Sequence, residues 1–347
     1  MLLPLIVIFA VVAAGVNYFT TGWYLKYAKE NQITDIPTVR SSHDVPKPRG
    51  GGIGFVIITI LGSFAYLLYD AHLFSVGIIT FLIALIIVAI FGWFDDKNSL
   101  SIPVRYTVQT IGALIILLFV SGFDSFYVPA FNQIYLGVFG YLAGIIWLTG
   151  TTNIYNFMDG VDGIASVQAI FAGIGWIFWG WYFDIPFIVA INLILVGSVA
   201  SFLVYNWQPA KIFMGDVGSV FLGFYFATLP FLAVYLSDSI EIGFAIWISA
   251  LLLWPFLYDG SFTLIRRIIK KKNVFKPHRT HLYQRLNRMG WPHKNVTILY
   301  SAFCLFSCMI SYIFVTGSGS SRILVIAVLL LLSFLYSHLV YKRKRKN

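Results

Sequence analysis

Charge is scarce in this chain. Only 11% of its 347 residues are charged and 59% are hydrophobic, against roughly 25% charged in a soluble domain; the mean hydropathy is +0.82. This composition excludes an ordinary water-soluble globule and points to a chain dissolved in lipid. Cysteine is almost absent. Cys304 and Cys308 stand four apart in one apolar run, which excludes a disulfide scaffold and reads as two small buried side chains rather than a metal or redox pair. No basic stretch precedes the first apolar run and no small-residue cleavage site follows it, so the run is expected to be a retained span, not a signal peptide. Internal repeats and low-complexity tracts are missing too, which removes solenoids and low-complexity linkers from consideration.

Apolar segments fill the chain instead. Eleven are long enough to cross a hydrocarbon core of about 30 Å: 1–24, 51–69, 75–94, 105–122, 134–151, 164–183, 187–205, 218–236, 241–265, 297–316 and 322–340. Such segments satisfy their own backbone groups as helices. The expected fold is therefore all-α, one polytopic membrane domain over residues 1–347. Loops 25–50, 95–105, 206–217, 266–296 and the tail 341–347 hold every Lys and Arg except Arg322. That asymmetry puts these loops and the C-terminus in the cytoplasm and the N-terminus outside. The net charge of +10 is then topogenic, with the basic tail facing anionic headgroups of the membrane lipids, and it calls for no nucleic acid.

The 14 acids are few and their placement is informative. Asp70, Asp124, Asp184, Asp238 and Glu241 are scattered singly over the outer loops, whereas Asp95, Asp96, Asp159, Asp162 and Asp216 fall in compact motifs of three cytoplasmic loops. Five carboxylates on one membrane boundary, amid excess base, suit a metal ion and a polyanionic substrate. The stretch 153–163 places Asn153, Asn156, Asp159 and Asp162 at every third position. On a helix, steps of three drift by about 60° each, so all four groups would lie within about half the circumference. Gly160 and Gly163 let the backbone bend or approach a ligand. The plain alternative is a solvated loop between two spans.

The other motifs each carry two readings. Asp95 and Asp96 end an apolar helix, where adjacent carboxylates repel unless a cation or proton sits between them; a merely solvated pair is the alternative. Loop 35–52 contains three prolines, Arg40, Lys47 and Arg49, then Gly50, Gly51 and Gly52 at the start of a span. It reads as a phosphate-holding helix start with basic support, or as a basic loop with a glycine packing face. Asp216, between Gly215 and Gly218, is a metal ligand or a helix N-cap. His278, Arg279 and His281 suit phosphate binding and proton transfer and lack the spacing of a zinc site. Asp259, near the cytoplasmic end of its span, is structural if it finds a basic partner.

With these motifs in this order, the chain resembles the polyprenyl-phosphate N-acetylhexosamine-1-phosphate transferases of glycosyltransferase family 4. The resemblance implies eleven membrane helices in the bacterial inner membrane and a cytoplasmic site requiring Mg²⁺, with Mn²⁺ as a substitute. It implies attack of undecaprenyl phosphate on a UDP-sugar to give a polyprenyl-diphospho-sugar and UMP. It matches Asp216 to the metal-binding acid, Asp95 and Asp96 to the paired acids that act as base or position the lipid phosphate, and Asn153, Asn156, Asp159 and Asp162 to the nucleotide-site and catalytic cluster. Taken with the residue readings above, the expected metal ligands are Asp216 and Asp95, the catalytic residues Asp95, Asp96, Asp159, Asp162 and His281, and the substrate-binding residues Asn153, Asn156, Arg279, His278, Arg40, Arg49 and Gly51. Two departures stand out. Ser99 replaces an acid often found shortly after the Asp pair, and Tyr283 and Gln284 stand where further histidines are common. The 278–285 pattern resembles the O-antigen-initiating branch that uses deoxy sugars such as N-acetylfucosamine or N-acetylquinovosamine. Plain N-acetylglucosamine is the alternative donor. A homodimer is compatible with the sequence. An anion transporter is the rival from another class, but transporters place ionisable groups near the midplane on interrupted helices, and these spans are nearly free of charge. The alcohol phosphatidyltransferases are disfavoured because the 162–165 stretch ends without their Arg.

Overall fold

The computed structural model describes residues 2–37, 45–273 and 278–342. Thirteen helices account for most of the described chain: α1 (Leu2–Glu30), α2 (Ile53–Tyr69), α3 (Val76–Asn98), α4 (Ile102–Phe119), α5 (Phe139–Met158), α6 (Ile164–Tyr182), α7 (Pro186–Asn206), α8 (Asp216–Leu236), α9 (Ile242–Leu252), α10 (Trp254–Ile269), α11 (Leu282–Arg288), α12 (His293–Thr316) and α13 (Gly319–Lys342). Eight are long and apolar enough to cross a membrane, or nine spans if α9 and α10 count as one. Two antiparallel hairpins complete the fold, β1 (Thr34–Asp35) with β2 (Lys47–Pro48), and β3 (Ser125–Val128) with β4 (Asn132–Tyr135). The expected span 134–151 thus begins as strand and becomes helix only at Phe139.

Helix α8 is the centre of the molecule. Its residues from Phe221 to Ala233 are buried on every side, and α3, α5 and α9 pack along it. Between lipid-solvated helices close contact, not hydrophobic exclusion, supplies the attraction, so small residues mark the tightest crossings. A Cβ at Gly92 would stand 2.8 Å from the Asp216 carbonyl oxygen, and one at Gly223 would stand 2.8 Å from Thr152 Cα. Helices α1 and α13 instead present Phe19, Trp23, Leu324, Leu331 and Phe334 outward, as lipid-facing helices do.

The segment 241–265, expected as one span, is two helices bent by 86°. Leu253 leaves helical geometry, and Pro255 opens α10 without an N–H to continue the ladder. The break would leave a carbonyl unsatisfied in an apolar setting, a costly state. Buried Gln168 donates from Nε2 to the Leu252 oxygen at 2.9 Å. Arg322, the one basic residue outside the loops that hold all the others, has a local use. It donates to the carbonyls of Phe314 and Val315 at the end of α12 and to the Tyr127 hydroxyl, a positive cap on a helix C-terminus.

Candidate active site

Two glycine-rich segments lock together beneath the site. Phe213 N–H donates to the Pro48 oxygen at 2.8 Å, Gly51 N–H to the Phe213 oxygen at 2.9 Å, and Gly52 N–H to the Met214 oxygen at 2.8 Å. A Cβ at Gly52 would lie 2.6 Å from Gly218 Cα. Gly215, at φ +80°, leaves room only for hydrogen: its Cβ would meet Asp96 Oδ2 at 2.5 Å and Gly50 Cα at 2.9 Å. The triple glycine is therefore a packing face. Gly51, read from the sequence as a phosphate-binding residue, has its N–H committed to Phe213, because the close crossing puts that carbonyl in line with it.

This crossing sets the acids. Asp96, at the end of α3, accepts the Asp216 N–H at 2.7 Å and the Val217 N–H at 3.0 Å, two of the free donors at the start of α8. Arg49 Nε meets Asp96 Oδ1 at 2.7 Å, and its terminal nitrogen meets Asp216 Oδ2 at 2.9 Å. Asn156 Nδ2 donates to Asp216 Oδ1 at 2.8 Å and to Ser219 Oγ at 3.0 Å. Burial opposes the Arg49 charge, but Asp216 and Asp96 overcome it and raise its pKa. Four residues from four separate segments thus form one hydrogen-bonded group.

The remaining acids part company. Asp95 is buried, with Oδ1 accepting from Leu100 N–H at 2.7 Å and both oxygens held by Arg105 at 2.7 and 2.8 Å. The i+3 series 153–162 does not stay on one helix face, because α5 ends at Met158 and Gly163, at φ +78°, opens α6. Asn153 remains on α5 and bonds to Gln109 and the Thr149 oxygen. Asp162 turns away from Asp216: it faces His293 Nδ1 at 3.1 Å, the Ala210 N–H at 2.9 Å and Lys47 Nζ at 3.9 Å. Against the cost of burial, His293 and these partners hold its carboxyl below the ordinary value. The Asp159 carboxylate has no hydrogen-bond or ion-pair partner among the described residues. Burial, then the charge of Asp216, pushes it up to about 7.

The histidine loop is anchored on Asp259, whose partner is His281 of that loop. Asp259 accepts from Leu282 and Tyr283 N–H groups at 2.8 and 3.1 Å and from the Tyr300 hydroxyl at 2.6 Å, with His281 Nδ1 at 3.3 Å. Every residue of this set is buried. His278 stacks on His281 with ring centroids 5.0 Å apart; burial and the neighbouring His281 and Arg267 bring it down to about 4, so it is neutral at pH 7. Tyr283 donates to the Phe157 oxygen at 2.9 Å, and a Cβ at Gly160 would strike its hydroxyl. The loop thereby rests on the turn that carries Asp159, and burial, then the charges of Asp259 and Asp159, raises the pKa of the Tyr283 phenol. Arg40 lies outside the described residues.

Beside the acids, a groove runs between α3, α4, α5 and α8. Asp95, Arg105, Gln109, Asn153 and Asn156 make one polar side, and Val88, Phe91, Val108 and Val220 line the apolar remainder. The lining pairs a polar side that carries Arg105 with an apolar one.

Residues 78–235 match the model of glycosyl transferase family 4, a stretch that carries Asp95, Asp96, the 153–163 motif and Asp216. The chain is 32% identical over 284 residues to the probable undecaprenyl-phosphate N-acetylglucosaminyl 1-phosphate transferase of Bacillus subtilis (strain 168), covering 79% of this chain and 75% of that protein. The chain belongs to glycosyl transferase family 4. It is also similar to the decaprenyl-phosphate N-acetylglucosaminephosphotransferase of Mycobacterium leprae (strain TN), 27% identical over 83% of this chain and 78% of the relative. A phospho-N-acetylmuramoyl-pentapeptide-transferase of Streptococcus pneumoniae (strain CGSP14) is 32% identical over 51% of this chain and 56% of the relative. The family match stops short of both the glycine loop and the histidine loop, which the fold brings back to the matched core. Sequence reasoning missed Arg105, Lys47 and His293 as partners of the acids. For Arg105 a signal was present: a lone Arg in the first turn of an apolar helix, a short loop away from an acid pair.

Proposed function

We propose that this protein transfers an N-acetylhexosamine 1-phosphate from a UDP-sugar to undecaprenyl phosphate on the cytoplasmic face of the bacterial inner membrane, releasing UMP. The chain would cross eleven times, α9 and α10 forming one broken span, with the N-terminus outside. The observation that carries this reading is the group Arg49–Asp96–Asp216–Asn156, whose Asn156 also lines an amphipathic groove. The apolar wall suits an isoprenoid chain, and Arg105 with the amides of Gln109, Asn153 and Asn156 suits its phosphate.

The chemical task is to bring two polyanions together. The nucleophile is a phosphate oxygen, already mostly ionised near pH 7, so no covalent nucleophile is required. A divalent cation fits here: Mg²⁺ takes one or two carboxylates and leaves the rest of its shell to phosphates and water, Asp216 supplies hard oxygens, and the guanidinium between Asp96 and Asp216 marks a field that draws positive charge. Asp216 would hold Mg²⁺, which when bound neutralises diphosphate charge and polarises the phosphoryl group. Asp159, near pH 7 in affinity for a proton and free of partners among the described residues, takes the remaining proton from the lipid phosphate. Asp95, Asp96 and Asp162 act by position: Asp95 orients Arg105, Asp96 clamps the start of α8 under Asp216, and Asp162 ties the 159–163 turn to α12. Arg279 stabilises charge on departing UMP, and His281 acts by position, buried against Asp259. The transfer is a direct, single in-line displacement.

For the sugar, the 278–285 pattern favours a deoxy-N-acetylhexosamine, which would place the enzyme at the start of O-antigen synthesis. Two relatives matched over 79% and 83% of the chain are named for N-acetylglucosamine and favour that donor as a second reading. Purified protein with undecaprenyl phosphate and a panel of UDP-sugars decides both points: UMP should appear with one donor and only with the lipid present. No UMP with any N-acetylhexosamine donor would overturn the function.

A further inference from the structure

We infer that Arg49 occupies the cation seat of the substrate-free site and that a divalent cation must displace its guanidinium from Asp216 to bind. The inference rests on the proposed metal role of Asp216 and goes beyond it by making metal binding an exchange rather than an addition.

The geometry supports this in three ways. The guanidinium bridges Asp96 Oδ1 at 2.7 Å and Asp216 Oδ2 at 2.9 Å, where charge-assisted contacts are at their strongest. Asn156 takes the other Asp216 oxygen, so a cation approaching Asp216 finds one oxygen facing an amide and the other facing a cation. An ion at about 2.0–2.1 Å from that carboxylate would lie within a few ångströms of a like charge in a half-buried setting, where repulsion is poorly screened.

The exchange is local because the backbone at Arg49 is pinned. Arg49 N–H donates to the Ile33 oxygen at 3.2 Å, and Gly51 and Gly52 are fastened to Phe213 and Met214. The side chain is 28% exposed and has several rotors, so it can leave while the loop stays. Asp96 keeps its two α8 N–H groups in either state, and remains a second anchor for the guanidinium. Once free of Asp216, the guanidinium is a fork donor beside the entering phosphates, the geometry in which Arg recognises phosphate. One residue then compensates Asp216 without substrate and meets the anionic substrate when the cation has arrived.

Competition predicts the opposite sign from ordinary support. Mn²⁺ binding is measured by electron paramagnetic resonance on wild-type protein, Arg49→Gln, Arg49→Lys and Asp216→Asn in nanodiscs, without nucleotide or polyprenyl phosphate. Arg49→Gln should bind Mn²⁺ about tenfold more tightly than wild type, the effect of losing one charge-assisted contact. Arg49→Lys, a point charge that cannot bridge both acids, should fall between them. Equal or weaker Mn²⁺ binding in Arg49→Gln overturns the exchange. If that variant does not fold, equal or weaker binding in Arg49→Lys overturns it. Asp216→Asn separates the two levels: unchanged Mn²⁺ binding there removes the metal site itself and the exchange with it. Lost binding in Asp216→Asn, without tightening in the Arg49 variants, removes the exchange alone.

Discussion

Replacing Asp159 with Asn should stabilise the metal-free protein while disabling it. The carboxyl moves from an ordinary 3.8 to about 7, first through burial and then through Asp216. A folded-state value raised this far means the folded protein holds the proton longer than the unfolded chain. Stability is therefore fully present below about pH 4 and declines as pH rises towards 7. Three pH units at about 1.36 kcal/mol each give roughly 4 kcal/mol. Asp159 is only partly buried, and solvent screening brings this to about 2 kcal/mol. Asn has the same shape and no charge, so in EDTA at pH 8 the unfolding midpoint of Asp159→Asn should exceed that of wild type by a few degrees. The two should converge towards pH 4. Turnover should drop by more than about tenfold, equivalent to roughly 1.4 kcal/mol of barrier. A variant less stable than wild type at pH 8, or one that keeps turnover within tenfold, refutes the assignment of Asp159 as an unpaired acid that handles the proton.

Other expectations follow from single contacts. Gly52→Ala puts a methyl against backbone at Gly218 and Met214, which cannot move aside like a side chain; a loss of about 3 kcal/mol in unfolding free energy is expected, read by thermal denaturation. Arg105→Ala strands buried Asp95 and should cost about 2 kcal/mol, discounted for the partial exposure of Arg105. Adding Asp95→Asn should restore part of that loss, a sign that only coupled residues give. His293→Ala removes the main group that holds Asp162 low. Asp162 contributes stability above its unfolded value and loses it as pH falls through the lower folded value, so the acid-unfolding limb of the variant should move to higher pH in a circular-dichroism titration.

Each of the eleven apolar segments contains helix, because composition is read directly from a run of residues, but 134–151 begins as strand and 241–265 is two helices. The bend at Leu253 was hidden inside one such run: Trp254 and Pro255 are its trace, but a Pro inside α8, Pro230, does not break that helix, so proline alone does not decide. The convergence of Asp96, Asn156 and Asp216 was legible from their shared face. Their hydrogen-bond partners were not. Each partner comes from a different helix or loop, and its choice depends on how closely glycines let the backbones cross. The regular spacing of 153–162 suggested one face, yet the turn at Asp159 and Gly163 sends Asp162 to α12. Asp259 needed a basic partner and found His281, a pairing across 22 residues that only the folded loop reveals.

The central claim is that a sugar phosphate, not a bare sugar, moves to the lipid. The most direct measurement uses a UDP-N-acetylhexosamine donor labelled with radioactive phosphorus at the β position, incubated with the purified protein and undecaprenyl phosphate. The account predicts that the label appears in the lipid product in a one-to-one ratio with UMP released. Label left in UDP while the sugar enters the lipid would contradict it, since the bond cleaved would then be the glycosidic one.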